Sequence, residues 1–172
     1  MGRSLDHQEK EAYRLRIVLD CAYHNVIAEC ADAMSSVMPR NVVNVQKRNH
    51  ENCVEVGSSS RSWPFLFPQH GPGPKHERKI ELTEWQLEIV EQHPEMLVRG
   101  LIQSDGCRCL NKSMGRVHIR YLFVNASEDI RRIFCNACDQ LSIKWRHPKE
   151  RTISIARRES TALLDTFVGP KT

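Results

Sequence analysis

The sequence predicts an α+β fold made of two related halves in tandem. Three observations carry that prediction. A Pro/Gly-rich stretch, Pro68-Gln69-His70-Gly71-Pro72-Gly73-Pro74-Lys75, excludes helix and central strand and divides the 172 residues. Beyond it, helical and period-two apolar patterns alternate in the order αββαββα. Ahead of it, the same order recurs without its beginning. The expected organisation is a first repeat over 1–67, a linker over 68–79 and a second repeat over 80–172.

The elements of the second repeat follow from local signals. Thr83 ahead of Glu84-Trp85-Gln86 reads as a helix N-cap with a capping-box glutamine. His93-Pro94 breaks that helix and starts another at Pro94, which runs to about Ser104 and ends at Asp105-Gly106. Two strands follow, Cys107 to Asn111 and Arg116 to Val124, with Lys112-Ser113-Met114-Gly115 as the turn. Ser127 caps a helix whose apolar residues Ile130, Phe134, Ala137 and Leu141 recur at helical spacing. Short strands are expected over Ile143–His147 and Arg151–Ala156, and a last helix from about Glu159 to Phe167.

The first repeat aligns on the second by position. Arg14-Leu15-Arg16-Ile17-Val18-Leu19 falls on His118-Ile119-Arg120-Tyr121-Leu122-Phe123 at an offset of 104. The stripe Val26, Cys30, Ala33, Val37 falls on Ile130, Phe134, Ala137, Leu141 at the same offset. Cys53-Val54-Glu55-Val56 falls on Thr152-Ile153-Ser154-Ile155 at an offset of 99. Matches in one order with small drift argue for an internal duplication.

Val98-Arg99-Gly100-Leu101-Ile102-Gln103-Ser104-Asp105-Gly106 carries the chemistry. Gly100 and Ser104, one helical turn apart, would let a second helix approach closely. Asp105 stands at the helix end, and Gly106 is expected to let the chain leave in a conformation that favours glycine. This stretch resembles the motif of the LAGLIDADG homing endonucleases at Gly100, Leu101, Ile102, Asp105 and Gly106, with Ser104 in place of alanine. Gln103 departs from the pattern by replacing the first aspartate.

The resemblance covers nearly the whole chain and implies a LAGLIDADG homing-endonuclease-like fold, with tandem αββαββα halves. It implies double-stranded DNA as partner and Mg²⁺-dependent, site-specific strand cleavage. Asp105 would be the catalytic and metal-binding carboxylate and Gly106 its neighbour at the metal. Lys144 is a second catalytic candidate, stabilising charge near the scissile phosphate. Paired carboxylates with phosphate oxygens suit Mg²⁺, which favours hard oxygen ligands.

DNA contact is expected from strands that alternate basic and apolar residues, which puts the basic ones on one face. Arg116, His118 and Arg120 alternate with Val117, Ile119 and Tyr121; Arg14 and Arg16 repeat the pattern, and Lys144 and Arg146 flank Trp145. Arg108 on the preceding strand joins this DNA-binding set. Charge supports it: from Arg99 onward there are 14 Lys and Arg against 7 Asp and Glu, in a chain of net charge +4.

At the offset of 104, Asp105 falls on Met1. The first half is therefore expected to lack its leading helix and the chain to be incomplete for cleavage alone. An upstream start, a decayed remnant and a helix supplied by a second chain all remain open. The unpaired Gly100/Ser104 helix is expected to associate with a second chain or a second copy. Two other functions compete: a nuclease-dead DNA-binding or regulatory protein on the same fold, and a small zinc-binding module built on Cys107, Cys109, Cys135 and Cys138. Seven scattered cysteines fit reduced thiols in the cytoplasm. No apolar run reaches the roughly 18 residues of a membrane helix, and the polar N-terminus has no signal-peptide pattern.

Overall fold

A computed structural model describes residues 12–48, 51–113 and 115–172. Its chain divides into two compact units, residues 1–70 and 71–172. In the first, the elements run β1 (Tyr13–Asp20), α1 (His24–Val37), β2 (Val43–Lys47), β3 (Cys53–Ser60) and the short α2 (Trp63–Leu66). In the second they run α3 (Glu84–Gln92), α4 (Pro94–Asp105), β4 (Gly106–Ser113), β5 (Arg116–Val124), α5 (Glu128–Gln140), β6 (Arg146–Lys149), β7 (Thr152–Ile155) and α6 (Arg158–Phe167). Both sheets are antiparallel, ordered β1-β3-β2 and β4-β5-β7-β6. The fold is α+β. The expected lack of a leading helix in the first half bears on residues 1–11, which lie outside the described residues.

The duplication extends to strand register. Ile17 pairs with Val56 and Leu19 with Val54 in the first sheet. Tyr121 pairs with Ile155 and Phe123 with Ile153 in the second. These pairs are related by the offsets of 104 and 99 that align the sequences. Since a slip of one residue would turn every side chain to the other face, the two sheets direct equivalent positions the same way.

The core of the second unit lies between its sheet and helices. Val98 and Ile102, one turn apart on α4, meet Tyr121, Phe123, Ile153 and Ile155 from the sheet and Phe134, Ala137 and Leu164 from α5 and α6. Phe123 and Phe134 stack with ring centroids 4.4 Å apart. Each such large side chain, fully buried, contributes about 1.5–3 kcal/mol. The first unit has a smaller core of Ile27, Met34 and Val56, flanked by Leu15, Leu19 and Val54. Trp63 is buried and donates its indole N–H to Ser58 O at 3.0 Å.

Two local features differ from the sequence expectation. The strand expected to start at Ile143 starts at Arg146. Ser142 takes a left-handed φ of 57°, and the Ile143 N–H turns back to Cys138 O at 2.8 Å, so residues 143–145 close the helix rather than extend the sheet. Pro148 then lies within β6, which tolerates it because β6 is an edge strand with a bulge between Arg146 and Lys149. The β4–β5 hairpin is also tighter than expected. It pairs up to Ser113 and Arg116, with Gly115 at φ 74° supplying the turn. Among the described residues no helix is long and apolar enough to cross a membrane.

Candidate nucleic-acid interface

Each sheet has one face against helices and one turned away. In the first unit the buried Val56 marks the helix side, so Arg14, Arg16, Glu55 and Gly57 lie on the outer face. Glu55 is only 9% exposed there. Its carboxylate accepts a hydrogen bond from Arg14 Nη2 at 2.8 Å, with Arg48 Nε at 3.6 Å and Arg16 Nη1 at 4.0 Å. Gly57 makes room for this crossing. A Cβ at Gly57 would stand 3.2 Å from Leu15 O and 3.5 Å from Arg14 Nε. Arg14 and Arg16 are thus brought together on the expected face, but around an acid that sequence reasoning passed over. The alternation Val54-Glu55-Val56 was the available signal.

In the second unit the buried Tyr121 and Phe123 mark the helix side, so His118, Arg120 and Leu122 face outward. Ser154 pairs with Leu122 and with Arg146, which places all three on the same outer face. A cavity of about 460 Å³ opens here, lined by Arg120, Lys144, Trp145, Arg146, Pro148, Ser154, Ala156 and Arg157. The structure therefore gathers Arg120, Lys144 and Arg146 and adds Arg157. Arg116 is the first residue of β5, and its side chain lies outside the described residues.

Arg108 is not on this face. It pairs with Tyr121 and so points to the helix side. There its Nε and Nη2 grip Asp165 Oδ1 and Oδ2 at 2.8 and 3.1 Å, while the Tyr121 hydroxyl donates to Asp165 Oδ1 at 2.5 Å. The Arg108 guanidinium is the main reason the Asp165 carboxyl sits below the usual carboxylate range. Burial, then the hydrogen bond to Asp165, pushes the Tyr121 hydroxyl well above its ordinary value. Arg108 thus ties β4 to α6 on the helix side of the sheet, away from the face that carries Arg120 and Arg146.

Asp105 ends α4 with an exposed side chain. Its Oδ2 accepts a hydrogen bond from Asn125 Nδ2 at 2.9 Å. Asn125 is 5% exposed and fixed at its other end, where Oδ1 accepts the Ser127 N–H at 2.9 Å and its own N–H reaches Arg151 O at 3.1 Å. Asn125 thus sets the direction of the Asp105 carboxylate; a lone asparagine after a strand offered no sequence signal of this role. Gly106 follows as the first residue of β4, with φ −118° and ψ 179°. The expected glycine-only conformation is therefore absent. The reason for glycine is space, since a Cβ would stand 2.7 Å from Leu122 O and 2.9 Å from Ile102 Cα. At Gly100 the corresponding position is open.

For a divalent ion, Asp105 offers one hard oxygen ligand of suitable chemistry. Among the described residues no group of three or more His, Cys, Asp or Glu side chains converges. Lys144 lines the cavity beside Arg120 and Arg146. The cysteines do not form a zinc site. Cys107 is exposed on β4, whereas Cys135 and Cys138 are buried on α5. Burial pushes the Cys135 thiol up to about 11 and raises Cys138 further still, which opposes thiolate formation.

No family model matches the chain, and no curated protein matches its sequence. Solved structures do match. A crystal structure of I-DmoI in complex with DNA and Mn is similar with a TM-score of 0.57 and 13% identity, covering 96% of this chain and 86% of that chain. Mesophilic variants of the homing endonuclease I-DmoI match with a TM-score of 0.59 and 13% identity, over 96% of this chain and 85% of that chain. At this identity the likeness establishes the architecture: the chain has the α+β fold of the LAGLIDADG homing endonuclease I-DmoI.

Proposed function

We propose that this chain binds double-stranded DNA through the outer faces of its sheets, and that Asp105 is one carboxylate of a Mg²⁺-dependent, site-specific endonuclease centre. The observation that carries the binding reading is the outer face of the second sheet. There Arg120, Lys144, Arg146 and Arg157 surround one cavity with no acidic residue in its lining. Such a surface tracks phosphates and leaves arginines to meet base edges. The fold's likeness to a protein crystallised with DNA and Mn supports the same reading.

A bound divalent ion would activate water and stabilise the leaving oxygen in phosphodiester hydrolysis. In this chain Asp105 would hold the ion, with Gly106 beside it, and Asn125 would keep the carboxylate aimed. A divalent ion favours several hard oxygen ligands, so a second acidic group would join Asp105 in efficient cutting. The exposed stripe Met96, Gly100 and Ser104 on α4 is the surface on which we expect a second helix to pack, from a second copy of this chain. A clean monomer by light scattering at high concentration would remove that part of the reading. Free thiols at all seven cysteines accord with a reducing, cytoplasmic setting.

The test is duplex binding followed by plasmid nicking. Log affinity should fall with log salt by roughly 0.9 per phosphate contact. Asp105→Asn should spare binding and remove any Mg²⁺-dependent nicking. Affinity unchanged between low and physiological salt would remove the DNA reading. A second reading, a DNA-binding protein that does not cut, is favoured by the absence of any group of three or more potential metal ligands among the described residues; it would bind identically and leave supercoiled plasmid intact.

A further inference from the structure

We propose that Cys107 and Cys109 on β4 form a two-sulfur binding site for a soft monovalent cation, with cuprous ion as its natural ligand. The site is independent of the DNA reading and of the hard-ion chemistry at Asp105.

The first argument is placement. β4 pairs with β5 without a break in register from Gly106 to Ser113. Cys107 stands opposite Leu122 and Cys109 opposite Arg120, so both thiols lie on the outer face, away from the side taken by Arg108. β4 is an edge strand. Cys107 is exposed and Cys109 half-buried, so an ion in solution can reach them. The two thiols are hydrogen-bonded to each other.

The second argument is spacing. Alternate residues of a strand stand roughly 6.6 Å apart, with their Cβ atoms pointing the same way. A disulfide needs Cβ atoms about 3.5–4.5 Å apart, so a direct S–S bond would require the strand to buckle. An ion held between the sulfurs spans the gap and leaves the strand straight. Two sulfurs are too few for structural zinc, which takes four ligands. They suffice for a closed-shell monovalent ion, which binds two thiolates in a line, and their softness selects it over Mg²⁺. Asp105, two residues earlier, has the opposite preference, so the two places sort cations by class.

The third argument is charge. Each thiol gives up its proton as the ion binds, and two thiolates with one monovalent cation leave one negative charge. Cations stand beside it. Lys171 is close enough to Cys107 to act on its thiol. Arg120, the cross-strand neighbour of Cys109, has an Nε shielded from solvent and without a hydrogen-bond partner among the described residues. Such a donor is costly to leave unmet, and a metal-bound thiolate sulfur would accept from it.

The test uses the full chain, reduced and free of oxygen. Cuprous ion is supplied as its coloured bicinchoninate complex, and loss of colour reports transfer to the protein. Wild type should take up a first equivalent that excess Mg²⁺ and equimolar Zn²⁺ do not displace. Cys107→Ser and Cys109→Ser should each weaken that uptake more than about 100-fold, since even the partners of metal ligands are commonly worth about 10–100-fold. Cys53→Ser, on β3, should bind as wild type does. Copper-edge X-ray absorption of the wild-type complex, which needs no variant to fold, should count two sulfur neighbours. The proposal is overturned if wild type leaves the ion with bicinchoninate, or if copper shows three or more sulfur neighbours. It is equally overturned if folded Cys107→Ser and Cys109→Ser proteins bind as tightly as wild type, which would put the ion on other thiols such as the buried Cys135 and Cys138.

Discussion

Glu55 and Ser154 occupy the same place in two sheets built on one register. Each lies on the outer face, nearly buried, between a strand carrying alternating basic residues and a shorter edge strand. Around Glu55 the cations are gathered inward and share one carboxylate. Around Ser154 they line an open cavity with no acid beside them. Buried acids hold arginines in fixed directions but compete with any incoming anion. Hydroxyls leave the cations available. The same scaffold therefore yields a basic face ordered around one carboxylate in the first unit and a basic face with no acid in its cavity lining in the second. Arg108 with Asp165, on the helix side of the second sheet, shows the neutralised arrangement again. Basic residues counted from sequence are thus of two kinds, and only their acidic neighbours tell which.

The most direct way to break the contrast is to make the second sheet like the first. Ser154→Glu places a carboxylate among Arg120, Arg146 and their neighbours. Hydrogen bonds to charged groups contribute about 1.5–3 kcal/mol each, so loss of even one phosphate contact should lower duplex affinity by roughly tenfold or more. Anisotropy titration with a labelled duplex, alongside a thermal melt to establish folding, checks this. A folded Ser154→Glu protein with unchanged affinity would mean the cavity plays no part in binding.

The next contrast is between two glycines of one motif. Gly106→Ala forces a Cβ against Leu122 O and Ile102 Cα, an overpacking that should cost about 1–3 kcal/mol. Gly100→Ala enters open space on a helix and should stabilise the chain by up to about 1 kcal/mol. Urea midpoints of the two variants should move in opposite directions. A Gly106→Ala protein as stable as wild type would show that the α4–β4 junction is looser than its geometry.

Asp165→Asn is expected to cost less, about 1 kcal/mol, because the Arg108 pair is partly solvated, at 24% and 30% side-chain exposure. It should leave DNA binding unchanged, which marks Arg108 as structural. Its pH signature has a definite sign. The folded carboxyl lies below its ordinary value, chiefly through Arg108, so its stabilisation is present above the unfolded value near 4 and is lost as pH falls through the folded one. Thermal melts from about pH 5 downward should fall less steeply in Asp165→Asn than in wild type. Parallel acid limbs would remove Asp165 as a contributor.

These contrasts also mark what was legible in the sequence. Apolar spacing predicted α5 and the pairing of its repeat, because one buried stripe fixes a helix face. His93-Pro94 located the break between α3 and α4, because proline lacks the backbone N–H that would continue the helix. The face of Arg108 was not legible because Cys107-Arg108-Cys109 carries no apolar partner to mark it, and it is set only by pairing with Tyr121. Asn125 was invisible because its role depends on Asp105, 20 residues away in sequence. Arg157 was missed because a cavity is a property of several elements. Glu55 was in the aligned block, yet alignment with Ser154 conveyed nothing until both were found on the outer face.

The smallest expected effect tests the other half of the comparison. Glu55→Gln removes one negative charge from beneath Arg14, Arg16 and Arg48 while keeping an amide oxygen that can still accept from Arg14. A charge about 8 Å from a backbone phosphate in a largely aqueous setting changes its energy by ~0.5 kcal/mol. Duplex affinity should therefore rise a little over twofold. The salt dependence should steepen, since arginines released from Glu55 can displace counterions from phosphates. The stability cost should be modest, because the guanidiniums are 40–62% exposed and their mutual repulsion is screened by water. The measurement is anisotropy titration at several salt concentrations, with wild type, Glu55→Gln and Glu55→Asp compared. Glu55→Asp keeps the charge and should match wild type in salt slope. If instead Glu55→Gln binds more weakly while Glu55→Asp binds normally, Glu55 serves chiefly to aim the arginines, and the first sheet would be a reading surface whose acid assists contact instead of competing with it.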